Sequence, residues 1–163
     1  MRPLDRLRWL LITSGGLGTS PVAPGTVGTL GGVVLAVTLQ WLLPGHVVLG
    51  WSIAAGLLFV WGCLQSGFVA RTWPKEDPGQ FVLDEVVGYL VTVLVYTLVS
   101  SREPDGFAHM AAFFAFRVFD VWKLQPARKL EDLPGAVGIM ADDQMAGVYA
   151  GLSIWLVLPL LGR

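Results

Sequence analysis

The chain has 163 residues, 54% apolar and 14% charged, with a mean hydropathy of +0.64. Soluble domains carry about a quarter of their residues as Asp, Glu, Lys and Arg, so this composition is that of a membrane protein and excludes disorder or a charged tail. Eleven basic against twelve acidic residues give a net charge of -1, which provides no field for nucleic acid, and one cysteine (Cys63) with two histidines excludes an intrachain disulfide and a thiolate or zinc site.

The N-terminal stretch from Met1 to Leu11 carries three arginines before a short apolar run. Asp5 interrupts it and no small-x-small pattern follows, so it is read as uncleaved. From Trp9 to Ala70 there is no charged side chain, enough chain for two crossings at about 20 residues each. Pro44-Gly45-His46 breaks that stretch. It divides a span over about Val27 to Leu43 from one over about Val47 to Ala70, with Trp51 and Trp73 as interfacial aromatics near the ends of the second. Further charge-free runs cover Val86 to Ser101 and Gln144 to Gly162. Phe107 to Phe119, bounded by Pro104-Asp105-Gly106 and Asp120, is either a short, partly embedded helix or a span extended by its polar end. The expected fold is all-α, one polytopic membrane domain over residues 1–163 with about four to five embedded helices.

With the N-terminus inside and five crossings, Arg2, Arg6, Arg8, Arg71, Lys75, Lys123, Arg128 and Lys129 share one side. Arg102 and Arg163 lie opposite, and Arg117 sits at a border. That bias places the shared side in the cytoplasm. The same topology gathers the loop Ser14 to Thr26, the pair Asp84-Glu85, the segment Arg117 to Lys123 and the pair Asp142-Asp143 at one membrane edge.

Each acidic pair is expected in the first turn of an apolar helix, where an acid favours the macrodipole. A cap needs one acid, however, and charges at that depth need a partner or a function. Two pairs facing one compartment point to a divalent cation; with hard oxygen ligands and no soft ones, Mg²⁺ is the natural choice. Arg117, Asp120 and Lys123 recur at three-residue spacing and share a helix face if the helix reaches Lys123. They form either a simple salt-bridged triplet or a carboxylate for metal between two cations for phosphate oxygens. The uncharged loop before Val27 offers hydroxyls and backbone N–H groups to an anion at a helix start, and it lacks the spacing of a P-loop. Gly28 with Gly32 and Gly147 with Gly151 are read as close helix contacts. His46, His109 and Cys63 carry no spacing signal and are read as structural or incidental.

The strings Ser20-Pro21-Val22-Ala23-Pro24-Gly25-Thr26-Val27-Gly28-Thr29, Asp84-Glu85-Val86-Val87-Gly88, Phe116-Arg117-Val118-Phe119-Asp120-Val121-Trp122-Lys123 and Gly138-Ile139-Met140-Ala141-Asp142-Asp143-Gln144-Met145-Ala146-Gly147 resemble, in order, the phosphatidylglycerophosphatase A family. The likeness runs from about Leu11 to Trp155. It implies a small integral membrane enzyme of bacteria that removes the phosphate from phosphatidylglycerophosphate with Mg²⁺, as the last step of phosphatidylglycerol synthesis. It also implies Asp84, Glu85, Asp120, Asp142 and Asp143 as site acids, beside Lys123 and the Pro24-Gly25-Thr26 loop. Two positions depart from the family: Leu124-Gln125-Pro126 stands where Pro-x-Pro usually follows the lysine, and Gln144 replaces a usual aliphatic residue.

The expected chemistry is hydrolysis of a phosphate monoester, which depends on neutralising charge on the transferring group. Asp84, Glu85, Asp142 and Asp143, helped by Asp120, would hold one or two Mg²⁺. Gly25, Thr26, Arg117 and Lys123 would bind phosphate oxygens, with water or Thr26 as nucleophile. The expected partner is a phospholipid in the membrane and not nucleic acid; the sequence carries no signal for oligomeric state. A cation transporter using the acids as an ion site is the rival reading, though such sites lie near midplane rather than at helix ends. A bare scaffold leaves the paired acids without a role.

Overall fold

The computed structural model describes residues 2–75 and 77–162, so Arg163 lies outside the described residues. Every regular element among them is helical: α1 (Pro3–Ile12), α2 (Pro24–Leu42), α3 (Val47–Cys63), α4 (Ser66–Thr72), α5 (Leu83–Ser100), α6 (Gly106–Trp122), α7 (Ala127–Leu130) and α8 (Ala136–Val157), with short 3-10 turns at Leu17–Thr19 and Leu158–Leu161.

The boundaries follow local chemistry. Pro24 opens α2, where a missing N–H costs nothing, and the chain after Leu42 turns through Gly45 at φ 78°. Asp105 caps α6 by accepting the Ala108 N–H at 2.8 Å. Lys123 ends that helix in the left-handed region, φ 46°.

Three helices are long and apolar enough to cross a membrane: α2, α5, and α8 with its 3-10 extension. α3 and α4 add a fourth only as a pair bent by 56°. The sequence predicts one continuous span over Val47 to Ala70; the helix instead breaks at Leu64-Gln65. Polar side chains take the backbone groups there, with Gln65 Nε2 donating to Trp61 O at 2.9 Å and Ser66 Oγ donating to Cys63 O at 3.2 Å. The segment Phe107 to Phe119 is part of the 17-residue α6, about 26 Å long at 1.5 Å per residue and so short of a ~30 Å hydrocarbon core. Trp51 is not interfacial. It is fully buried, and its Nε1 donates to Ala36 O at 3.0 Å, joining α3 to α2.

α5 is the central element, packing on α2, α3, α6 and most extensively on α8. Tyr89, Leu90 and Val93 are wholly buried there. The small residues permit this approach: a Cβ on Gly147 would strike Gly88 O, one on Gly151 would reach 2.7 Å from Thr92 O, and one on Gly32 would come to 2.9 Å from Tyr89 Cβ. The outward faces of α2 and α3 carry Leu30, Val34, Val37 and Trp41, and Leu49, Ile53, Leu57 and Val60, all exposed. Such rows suit contact with lipid.

His109 belongs to a polar chain within this apolar interior. The Tyr89 hydroxyl lies 2.8 Å from His109 Nδ1, His109 Nε2 lies 2.9 Å from Gln40 Oε1, and Gln40 Nε2 donates to Pro104 O at 3.1 Å. The structural role read from the sequence is therefore a specific one.

Gly147→Ala pushes a methyl group against backbone that cannot rotate away. It is expected to destabilise by about 1–3 kcal/mol, measured by unfolding in mixed detergent micelles. Gly56→Ala, whose Cβ meets nothing within 4 Å, is expected to leave the transition unchanged or raise it slightly.

Candidate active site

The N-terminal ends of α2 and α5, the C-terminal end of α6, α4 and the first turns of α8 surround a cavity of about 1110 Å³. Its lining includes Gly25, Thr26, Asp84, Glu85, Arg117, Asp120, Lys123, Asp142 and Asp143, every site residue inferred from the sequence. The earlier part of the loop contributes differently. Thr19 Oγ1 donates to Gly16 O at 2.7 Å and Ser20 Oγ donates to Val22 O at 2.9 Å, so these hydroxyls hold the loop's own backbone.

Asp84 and Glu85 stand in the first turn of α5, as expected. Asp142 and Asp143 do not stand in a first turn: α8 begins at Ala136, which places them nearly two turns inside it. The reason is a helix start supplied from elsewhere, because Ser66 Oγ accepts the Ala136 N–H at 2.9 Å and Gly135 turns the chain at φ 62°. Helix capping therefore does not account for the second pair.

Asp84, Asp142 and Asp143 are buried, with 7%, 4% and 3% of their surface exposed. Asp84, Glu85 and Asp143 each offer a carboxylate oxygen, all within 4.8 Å of one another. Buried oxygens without a hydrogen-bond partner among the described residues include Glu85 Oε2, Asp142 Oδ1 and Asp143 Oδ2. Carboxylate oxygens desolvated and gathered in this way are costly to keep ionised without a compensating cation. Three hard oxygen donors are a set that can hold a divalent one.

Arg117 and Lys123, two of the cations that line the cavity, are fixed by acids. Arg117 Nη1 pairs with Asp120 at 2.5 Å and with Glu85 at 3.8 Å, and donates to Thr29 Oγ1 at 3.4 Å. Lys123 does not share the face of Arg117 and Asp120. The helix ends at Trp122, and the left-handed turn at Lys123 sends its ammonium to Asp142 at 2.7 Å and Glu131 at 3.0 Å. Burial alone would lower the Lys123 pKa, but the hydrogen bonds to Asp142 and Glu131 raise it above its ordinary value, so the group is cationic at neutral pH. Asp120 and Asp142 thus each spend an oxygen on a cation, unlike Asp143.

Backbone completes the cavity. The Val27 N–H bonds Ala23 O at 3.1 Å, which leaves the Gly25 and Thr26 N–H groups without intrahelical acceptors at a helix N-terminus, a natural place for an anion. A Cβ on Gly25 would overlap Glu85 Oε1 and come to 3.1 Å from Arg117 Nη2. Glycine is what allows the α2 backbone to approach both groups.

Sequence reasoning overlooked Glu131, Asp77, Lys75 and Asp132, which also line the cavity. Their signal was the two polar loops, 73–80 and 124–135, that interrupt the apolar runs. Gln144 does not reach the cluster, since its Nε2 donates to Met140 O within α8 at 3.1 Å. The segment after Lys123 is held by Tyr149, whose hydroxyl donates to Gln125 O at 2.6 Å.

Apolar helices long enough to cross a membrane, converging on a pocket that joins an acidic cluster to cationic side chains and the start of a helix, define a membrane-type helical fold with a polar site at its helix ends. The chain belongs to the phosphatidylglycerophosphatase A family, whose model matches residues 10–158. It is 33% identical to the phosphatidylglycerophosphatase A of Haemophilus influenzae, over 91% of this chain and 86% of that one. It is likewise 33% identical to the phosphatidylglycerophosphatase A of Escherichia coli, over 91% and 83%. A Bacteroides thetaiotaomicron protein, named provisionally as a phosphatidylinositol-3-phosphatase, is 35% identical over 94% of each chain. No solved structure matches at a significant level.

Gly25→Ala is expected to lower turnover about 100-fold, the scale of a 1 Å misplacement of reacting groups, with helix content by circular dichroism unchanged.

Proposed function

We propose that the protein hydrolyses the phosphate monoester of phosphatidylglycerophosphate to phosphatidylglycerol and inorganic phosphate, with Mg²⁺ as cofactor. The observation that carries this reading is the set of oxygens from Asp84, Glu85 and Asp143 within 4.8 Å of one another, opening on a cavity shared with Arg117, Lys123 and the start of α2. Family membership supplies the reaction, and the rival transporter reading finds no support among the relatives.

In this reading Asp84, Glu85 and Asp143 hold Mg²⁺, with Asp120 and Asp142 completing the acidic surround. When bound, the ion would neutralise charge on the phosphoryl group and polarise it as a Lewis acid. The Gly25 and Thr26 N–H groups and the Arg117 guanidinium receive the phosphoryl oxygens, Arg117 being oriented by Asp120. Asp142, one oxygen fixed by Lys123 and the other free, orients the attacking water. The Thr26 hydroxyl, at the same wall of the cavity, is the alternative nucleophile.

The same reading places the chain as a multi-pass protein of the bacterial cytoplasmic membrane with the cavity facing the cytoplasm. It is supported by the basic residues Arg71, Lys75, Lys123, Arg128 and Lys129 in or beside the elements around the cavity.

Phosphate release is to be measured on phosphatidylglycerophosphate and on phosphatidylinositol-3-phosphate in mixed micelles, with Mg²⁺ and with chelator. The expected result is Mg²⁺-dependent release that prefers the first lipid and is lost in Asp84→Asn and Asp143→Asn. Release that survives both substitutions or chelation overturns the assignment of these acids. Thr26→Val retains measurable turnover if water attacks and matches Asp143→Asn if Thr26 does.

A further inference from the structure

A second cavity, of about 480 Å³, lies between α1 and α4. Three arginines line it, Arg2, Arg8 and Arg71, with Asp5 as the one acid in the lining among the described residues, beside Leu4, Phe68 and Thr72. Asp5 pairs with Arg8 at 3.6 Å, and the Arg8 guanidinium sits 6.0 Å over the Phe68 ring. Arg2 and Arg71 are both exposed, and three arginines against one aspartate leave the lining with an excess of positive charge among the described residues.

The cavity is separate from the candidate active site because α4 stands between them. Phe68, Arg71 and Thr72 face the arginine cavity, while Ser66, Val69, Ala70 and Trp73 line the acidic one. At 100° per residue these two sets fall on opposite sides of the helix. Beside the arginines, α1 exposes Leu4, Leu7 and Leu10. Ten residues make α1 about 15 Å long, too short to cross a bilayer. A short helix with exposed leucines and flanking arginines lies in the plane of the interface, with its apolar residues among acyl chains and its guanidiniums at headgroup level.

We infer that α1 and α4 form a second lipid site, in which Arg2, Arg8 and Arg71 hold the phosphate of an anionic phospholipid while its chains run along Leu4, Leu7 and Leu10. The occupant is a lipid rather than a free anion because the cationic cavity and the exposed leucine row are contiguous. A zwitterionic lipid offers no net charge to balance the excess of guanidiniums over Asp5. This site requires only that the chain is embedded in a bilayer and is independent of the reaction proposed above.

The test is native mass spectrometry of the detergent-solubilised full chain titrated with phosphatidylserine, with phosphatidylcholine or with inorganic phosphate. The expected result is tighter binding of phosphatidylserine, weakened about fivefold in Arg71→Gln, the size of one basic residue's attraction to an anionic leaflet. Arg128→Gln with Lys129→Gln, on the exposed surface of α7, leaves it unchanged. Arg8→Gln also removes the contacts with Asp5 and Phe68, so Arg71→Gln, which disturbs no such pair among the described residues, is the deciding variant. Equal binding of the two lipids, or equal loss in the α7 variant, overturns the site. Displacement of the lipid by inorganic phosphate shows a free-anion site and overturns the lipid assignment.

Discussion

Anionic oxygens held together in an apolar interior are the constraint on which the rest of this structure depends. Water would ordinarily solvate such groups, and burial removes it at a cost of several kcal/mol per ion unless charge is returned by other means. Arg117 and Lys123 return part of it, each anchored on two carboxylates. The N-terminal ends of α2 and α5 return more through their dipoles. Among the described residues, Glu85 Oε2, Asp142 Oδ1 and Asp143 Oδ2 are left without a hydrogen-bond partner.

Bringing these groups together demands that helices touch backbone to backbone. Gly28 and Gly32 let α2 close on Val82, Val86 and Tyr89, while Gly147 and Gly151 let α8 close on Gly88 and Thr92. Without such contacts the start of α2 would stand away from Glu85 and Arg117, and the wall proposed to bind the phosphoryl group would face the acids across a wider gap. Packing and chemistry are thus one problem in this fold, since Gly147 and Gly151 lie on the helix that carries Asp142 and Asp143, and Gly28 and Gly32 on the helix that begins at the cavity with Pro24 and Gly25.

Much of this was legible in sequence. The absence of charge over long runs located the apolar helices, and the paired acids stood out because hydrocarbon tolerates no idle charge. All nine inferred site residues line one cavity. What escaped depended on partners distant in the chain. The start of α8 at Ala136 rests on Ser66, seventy residues earlier, so the position of Asp142 and Asp143 within that helix had no local signal. The reach of Lys123 to Asp142 and Glu131 rests on a single left-handed residue that breaks the three-residue periodicity. The bend between α3 and α4 rests on Gln65 and Ser66, two polar residues within a charge-free run.

The chain of hydrogen bonds from Tyr89 through His109 to Gln40 has a mechanical meaning. Apolar side chains resist separation of helices but resist rotation about their long axes only weakly. Directional bonds between α5, α6 and α2, placed away from the cavity, act as an index pin: they set the angle at which α2 emerges toward Pro24 and Gly25. The orientation of the backbone wall proposed to receive phosphate is in this way fixed at the opposite end of the helix that carries it.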